Sequence, residues 1–123
     1  MNYEDLKGID VKKGLAIVAN NKAVYMKLLK SFANNAFCEQ ILDAVKNGNL
    51  EQVRQCAHSL KGVAGNMYMD ELFELSREIE TAAKEGAPVA MSDECIVKIS
   101  SAYERTLNSV NALIANPEIL DSI

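Results

Sequence analysis

Apolar residues recur along this chain at steps of three and four, the spacing that places them on one face of an α-helix. The clearest run is Leu50 to Met67. With each residue turned ~100° from the last, Leu50, Val53, Ala57, Leu60, Ala64 and Met67 fall on one stripe. Ahead of it, Asp10 is placed to cap a short helix over residues 11 to 19, with Leu15, Val18 and Ala19 on its apolar side. Asn20-Asn21 interrupts that pattern. Residues Lys22 to about Lys46 then read as one long helix, with Val24, Leu28, Phe32, Ile41, Leu42 and Val45 facing inward. Its middle, Ser31 to Asn35, is polar enough to bend or fray. Asn47-Gly48-Asn49 is a turn, since both residue types tolerate left-handed dihedrals.

Beyond the central run, Asp70 stands near the start of another helix, where a carboxylate suits the dipole. Leu72, Leu75, Ile79 and Ala82 form its stripe, and Gly86-Ala87-Pro88 stops it. Residues 87 to 92 make a short linker. Ser92 or Asp93 caps a last helix over 93 to 115, with Ile96, Ile99, Tyr103, Leu107, Val110 and Ile114 inward. Asn116-Pro117 ends it, and the final residues are expected to fray or pack loosely. The predicted fold is all-α: an antiparallel four-helix bundle with a short additional N-terminal helix as a cap, in one domain over residues 1–123.

Composition supports that class and narrows function by exclusion. Ala, Leu, Glu and Lys are frequent, β-branched runs are absent, and the 123 residues suffice for one core. A net charge of −4 gives no basic face for nucleic acid. No apolar run approaches the ~20 residues that span a bilayer, and the first residues, Met-Asn-Tyr-Glu-Asp, do not read as a signal peptide. The expected location is the cytoplasm. Cys38, Cys56 and Cys95 are odd in number and widely spaced, so they are expected to be structural, neither a zinc site nor a disulfide framework.

The candidate chemistry lies on the central run, where His58 is the only histidine. It falls ~130° from the middle of the apolar stripe. Around it, within one or two turns, are Arg54, Lys61, Gly62 and Gly65. Two glycines in mid-helix each cost ~1 kcal/mol against alanine. Their place beside one imidazole points to something that must come close to the ring. A hairpin turning near Met69 sets Glu80 opposite His58, because positions facing each other across it have numbers summing to about 138. A carboxylate there could accept from one ring N–H and leave the other nitrogen free to attack. The competing reading is an exposed glutamate paired with Lys84 or Arg77. One histidine excludes a multi-histidine metal site, and no glycine-rich loop follows a strand to hold a nucleotide.

The segment Ala57-His58-x-Leu60-Lys61-Gly62-x-x-Gly65 resembles the phospho-accepting motif of histidine-containing phosphotransfer (HPt) domains. Ile9-Asp10, Gly14-Leu15, Tyr25, Leu28-Leu29 and Phe32 resemble the family's opening segment, and Leu72, Leu75 and Ile79-Glu80 its following helix. The resemblance covers roughly residues 8 to 86. One departure is Tyr68, ten residues after the histidine where the family usually has glycine, followed by Met69 in place of a small residue.

The resemblance implies the same bundle and a phosphorelay intermediate without autonomous kinase activity. In that reading His58 takes a phosphoryl group from a receiver-domain aspartate and passes it to another receiver. Lys61 would stand near the phosphoryl oxygens, and Glu80 at the position of the family's orienting acid or amide. Arg54, Gln55, Gly62 and Gly65 are candidates for partner docking. No cofactor is expected on this chain, and Mg²⁺ is expected on the receiver only. Partners would be response-regulator receiver domains and a hybrid histidine kinase, with the chain a monomer. Two alternatives stand beside it. One is a non-catalytic helical adaptor that binds receiver or kinase domains, suggested by Tyr68. The other is the phospho-accepting domain of a chemotaxis-type histidine kinase.

Overall fold

Four of the six helices begin on a side chain that accepts one of the helix's own unpaired N–H groups. In the computed structural model, which describes residues 2–123, Asp10 caps α1 (Val11–Ile17) and Asn21 caps α2 (Lys22–Asn34). Asn49 caps α4 (Leu50–Asn66) and Ser92 caps α6 (Asp93–Ala115). The remaining two, α3 (Phe37–Lys46) and α5 (Asp70–Lys84), carry acidic residues in their first turn and no such cap. Short 3₁₀ turns cover Tyr3–Asp5, Pro88–Met91 and Pro117–Ser122. Helix α3 packs on α4 and α6, α4 on α5, and α5 on α6, which closes the antiparallel four-helix bundle. Helix α2 lies on α6, and α1 on α2.

The single long helix expected over 22–46 is two. Helix α2 stops at Asn34, and Asn35 is extended (φ −95°, ψ 142°). The Asn35 side-chain amide donates to the Ser31 carbonyl at 2.7 Å, and the Tyr103 hydroxyl donates to the Asn35 carbonyl at 3.2 Å. The break lets Phe37 stack on Phe32 (5.9 Å between ring centroids), with Tyr103 on the same ring at 5.3 Å. It also corrects the buried stripe. Tyr25, Leu29 and Phe32 face the core, and Val24 and Leu28 are each 40% exposed.

Two other expectations shift. On α6 the buried face is Ile99, Ala102, Thr106, Ser109, Val110 and Leu113, and it includes hydroxyls because the N-terminal segment lies across it. Ser109 Oγ donates to the Lys7 carbonyl at 2.6 Å, a satisfied buried group. A Cβ at Gly8 would overlap the Thr106 hydroxyl. At the other end, the residues after Pro117 do not fray. They form a 3₁₀ turn that buries Ile119 and Leu120.

The turn from α4 to α5 holds the departure at Tyr68. Tyr68 sits in the left-handed region (φ 53°), Met69 N–H donates to the Ala64 carbonyl at 2.8 Å, and Tyr68 N–H donates to Gly65 at 3.4 Å. That pairing is the Schellman ending, whose left-handed position favours glycine. Gly48 (φ 65°) and Gly86 (φ 70°) fill the equivalent position after α3 and α5, and Ala19 (φ 55°) fills it after α1. The position where the family usually has glycine is thus left-handed in this chain, and the tyrosine adopts that path at a cost on the order of 1 kcal/mol. Met69 follows, fully buried.

The C-terminal turn supplies a test of this packing. Leu120→Ala is expected to lower unfolding free energy by about 2–4 kcal/mol, because it empties a closely packed site. Urea unfolding measures it, and a loss below about 0.5 kcal/mol would mean that the tail contributes only surface contacts.

Candidate functional site

The α4–α5 hairpin is the most extensive helix pairing in the structure, and the site is built across it. Helix α4 buries Val53, Cys56, Ala57, Leu60 and Ala64, which turns His58 outward on the opposite side. Its side chain is 64% exposed. On α5 the buried face is Leu72, Ser76, Ile79, Glu80 and Ala83, so a carboxylate occupies a core-facing position. The Glu80 side chain is only 4% exposed. This corrects the competing reading of Glu80 as a surface residue.

A buried carboxylate is costly unless its oxygens are paired, and both oxygens of Glu80 are. Oε2 lies 2.6 Å from His58 Nδ1, and Oε1 accepts from Lys61 Nζ at 2.7 Å. Lys84, one turn further along α5, places its Nζ 3.7 Å from Oε1. The hydrogen bond from Lys61 is the largest influence on Glu80 and lowers its pKa. Burial opposes it, and the His58 bond and the charges of Lys61 and Lys84 add to the lowering. Glu80 is thus an anion near neutral pH and can only accept. The proton of the neutral ring then belongs on Nδ1, which leaves the lone pair on Nε2 at the exposed edge.

The sequence-predicted residues separate into two groups. His58, Lys61 and Glu80 come together in one cluster. Arg54 and Gln55 do not join it through hydrogen bonds. Arg54 donates to Glu51 from Nε and Nη2, at 2.5 Å for the shortest contact, and Gln55 Nε2 lies 3.4 Å from the same carboxylate. The two glycines also differ. A Cβ added at Gly62 would meet nothing within 4 Å, so this glycine leaves open space beside the ring. At Gly65 the added Cβ would stand 3.1 Å from Phe73 Cδ1. Gly65 is half-buried, and the clearance it gives is taken up by an aromatic ring of α5.

Lys84, which the competing reading paired with Glu80 at the surface, does approach that carboxylate, and what the sequence did not bring out is its place in the cluster. The available signal was its i,i+4 spacing from Glu80, which by itself fits an ordinary surface pair. Cys38 and Cys56 are buried, Cys95 is half-buried, and all three are free thiols. Among the described residues, no three His, Cys, Asp or Glu side chains are grouped to hold a metal ion. No helix among them is long and apolar enough to cross a membrane.

Comparison with known proteins agrees with this architecture. No curated protein matches the chain. The HPT domain of an Hpt sensor hybrid histidine kinase from Shewanella has a similar crystal structure, with a TM-score of 0.80 at 18% identity, over 90% of this chain and 97% of that one. At that identity the likeness is one of fold. A family model described as Hpt domain matches residues 32–114, from the end of α2 almost to the end of α6. The chain belongs to the Hpt domain family, the phosphotransfer intermediates of histidine-kinase phosphorelays.

Proposed function

We propose that His58 is the phosphoryl carrier, accepting on Nε2 from a receiver aspartate and passing the group to a second receiver. The observation that carries this reading is the 2.6 Å contact between His58 Nδ1 and the buried Glu80, made by a ring that is otherwise 64% exposed. The Nε2 lone pair attacks phosphorus, the N–P bond forms, and the P–O bond to the aspartate breaks with its electrons leaving on the carboxylate. Nδ1 keeps its proton, and the positive charge the ring gains lies against Glu80. The reverse sequence delivers the group onward. Lys61, one turn from His58, is within reach of phosphoryl oxygens as they gain charge. The Mg²⁺ that this chemistry uses belongs to the receiver, as the family resemblance implies.

The surface beside the ring favours a docking protein. Gly62 leaves it open, and one turn beyond, Asn66 borders a groove of about 150 Å³ shared with Val63 of α4 and the exposed Leu28 of α2. Arg54 and Gln55 would meet the partner's rim on the other side of His58. Partners in this reading are receiver domains, including one carried by a hybrid histidine kinase, and the chain works as a cytoplasmic monomer with no kinase activity of its own. Tyr68 gives the adaptor alternative no support, since the chain holds the glycine-like path there with a tyrosine.

Incubation with a phosphorylated receiver is expected to add one phosphate to the intact mass, acid-labile and absent from His58→Gln. An acid-stable adduct, or label retained by the variant, would sink the assignment. Gly62→Gln separates docking from chemistry. It is expected to leave stability unchanged or raised by about 0.5 kcal/mol, since glutamine is the better helix former. Transfer from a phosphorylated receiver should fall at least about tenfold, equivalent to ~1.4 kcal/mol of barrier. A small-molecule phosphodonor should still modify His58 at a comparable rate. Normal transfer from the receiver would place docking elsewhere.

A further inference from the structure

Lys61 has two claims on it. In the resting structure its ammonium is 2.7 Å from Glu80 Oε1, and in the transfer reaction it is the cation one turn from the reacting nitrogen. A compact ammonium that moves onto phosphoryl oxygens loosens its hold on the carboxylate. Glu80 would then have one lysine fewer beside it and face a ring that, having become cationic, gives up its Nδ1 proton more readily. A buried carboxylate in that position gains proton affinity and draws the proton from Nδ1. Phosphoryl transfer suffers from that shift. With Nδ1 protonated, cleavage of the N–P bond releases a neutral imidazole; without the proton it would release an imidazole anion.

The groups facing Glu80 include one further cation placed to prevent this. From α4 come His58, Lys61 and the charge of Arg54, whose guanidinium is already held by Glu51. From α5 comes Lys84. Its side chain is 57% exposed, its Nζ is 3.7 Å from the oxygen that Lys61 occupies, and Glu80 is the one carboxylate it approaches within 4.0 Å among the described residues. We infer that Lys84 is a positioning residue that takes the place of Lys61 on Glu80 Oε1 when Lys61 turns to the phosphoryl group, so that the proton stays on Nδ1. This rests on His58 being the phosphoryl acceptor.

Proton–nitrogen NMR of the ring reads the inference in both states of the full chain. In the free protein, Lys61→Ala and Lys84→Met are each expected to keep the Nδ1–H tautomer, because either lysine can hold Oε1. The double variant is expected to mix the tautomers. After phosphorylation by phosphoramidate, the parent should keep its Nδ1 proton at a fixed neutral pH. Lys84→Met should lose a measurable share of it, slow onward transfer to a receiver at least about threefold, and be rescued by Lys84→Arg. Circular dichroism controls for folding. Tautomer mixing in Lys61→Ala equal to that in the double variant overturns the role of Lys84 alone. So does a phosphorylated Lys84→Met with parental Nδ1–H signal and transfer rate. No phosphate on His58 of the parent overturns the acceptor reading, and this inference with it.

Discussion

One buried carboxylate organises this molecule's chemistry. Glu80 lies on the core face of α5, where an unpaired charge would cost several kcal/mol, and its surroundings answer that cost from α4 and from its own helix. Because Glu80 is paired, it remains an anion; because it is an anion, it fixes the proton on His58 Nδ1. Because it is buried, it does not follow solvent fluctuations as an exposed glutamate would. In the proposed transfer, the nitrogen that attacks at the surface is thus prepared by an interaction beneath it. The α4–α5 packing that places the two residues opposite each other is the structural condition for that arrangement.

Much of this was legible in the sequence, for a reason that can be stated. The stripe from Leu50 to Met67 is unambiguous, so the outward place of His58 followed from rotation alone. A tight turn near Met69 sets the register of α5 and puts Glu80 opposite His58, one of the two readings that the sequence left open for that residue. The depth of Glu80 was not legible, since a glutamate in an amphipathic helix is ordinarily solvated. Burial here is offset by partners on two helices, and periodicity in one segment does not report them.

The misreadings share one cause, which is tertiary packing acting across weak local signals. In the segment 22–46 two neighbouring stripes are nearly equal in apolar content. Packing of α2 between α1 and α6 buries Tyr25, which lies against Gly14, and Leu29 in preference to Val24 and Leu28, and the Phe32–Phe37–Tyr103 cluster fixes the break. On α6 the chosen face includes Thr106 and Ser109, which look polar in sequence and meet the backbone of residues 7 and 8 in space. Gly65, beside the ring in sequence, also lies against Phe73 in space, a contact that periodicity does not report. A glycine shows that something comes close; it does not show what.

The left-handed endings show how far substitution can run without a change of path. Four helices close with the same backbone pairing, and two of them do so without glycine. At Ala19 and Tyr68 the hydrogen bonds of the motif and the neighbouring helix hold a conformation that each residue disfavours by about 1 kcal/mol. Tyr68 also presents its ring to Lys13, 5.8 Å from Nζ to centroid, and its carbonyl accepts from Asp10 N–H at 2.9 Å. The residue that departs from the family pattern thus ties the site hairpin to α1 while leaving the hairpin's register intact. Register is what the site depends on, because a slip of one residue on α5 would turn Glu80 away from His58 by about 100°. A glycine at this position would hold that register through backbone freedom, and here tertiary contacts maintain it with a tyrosine.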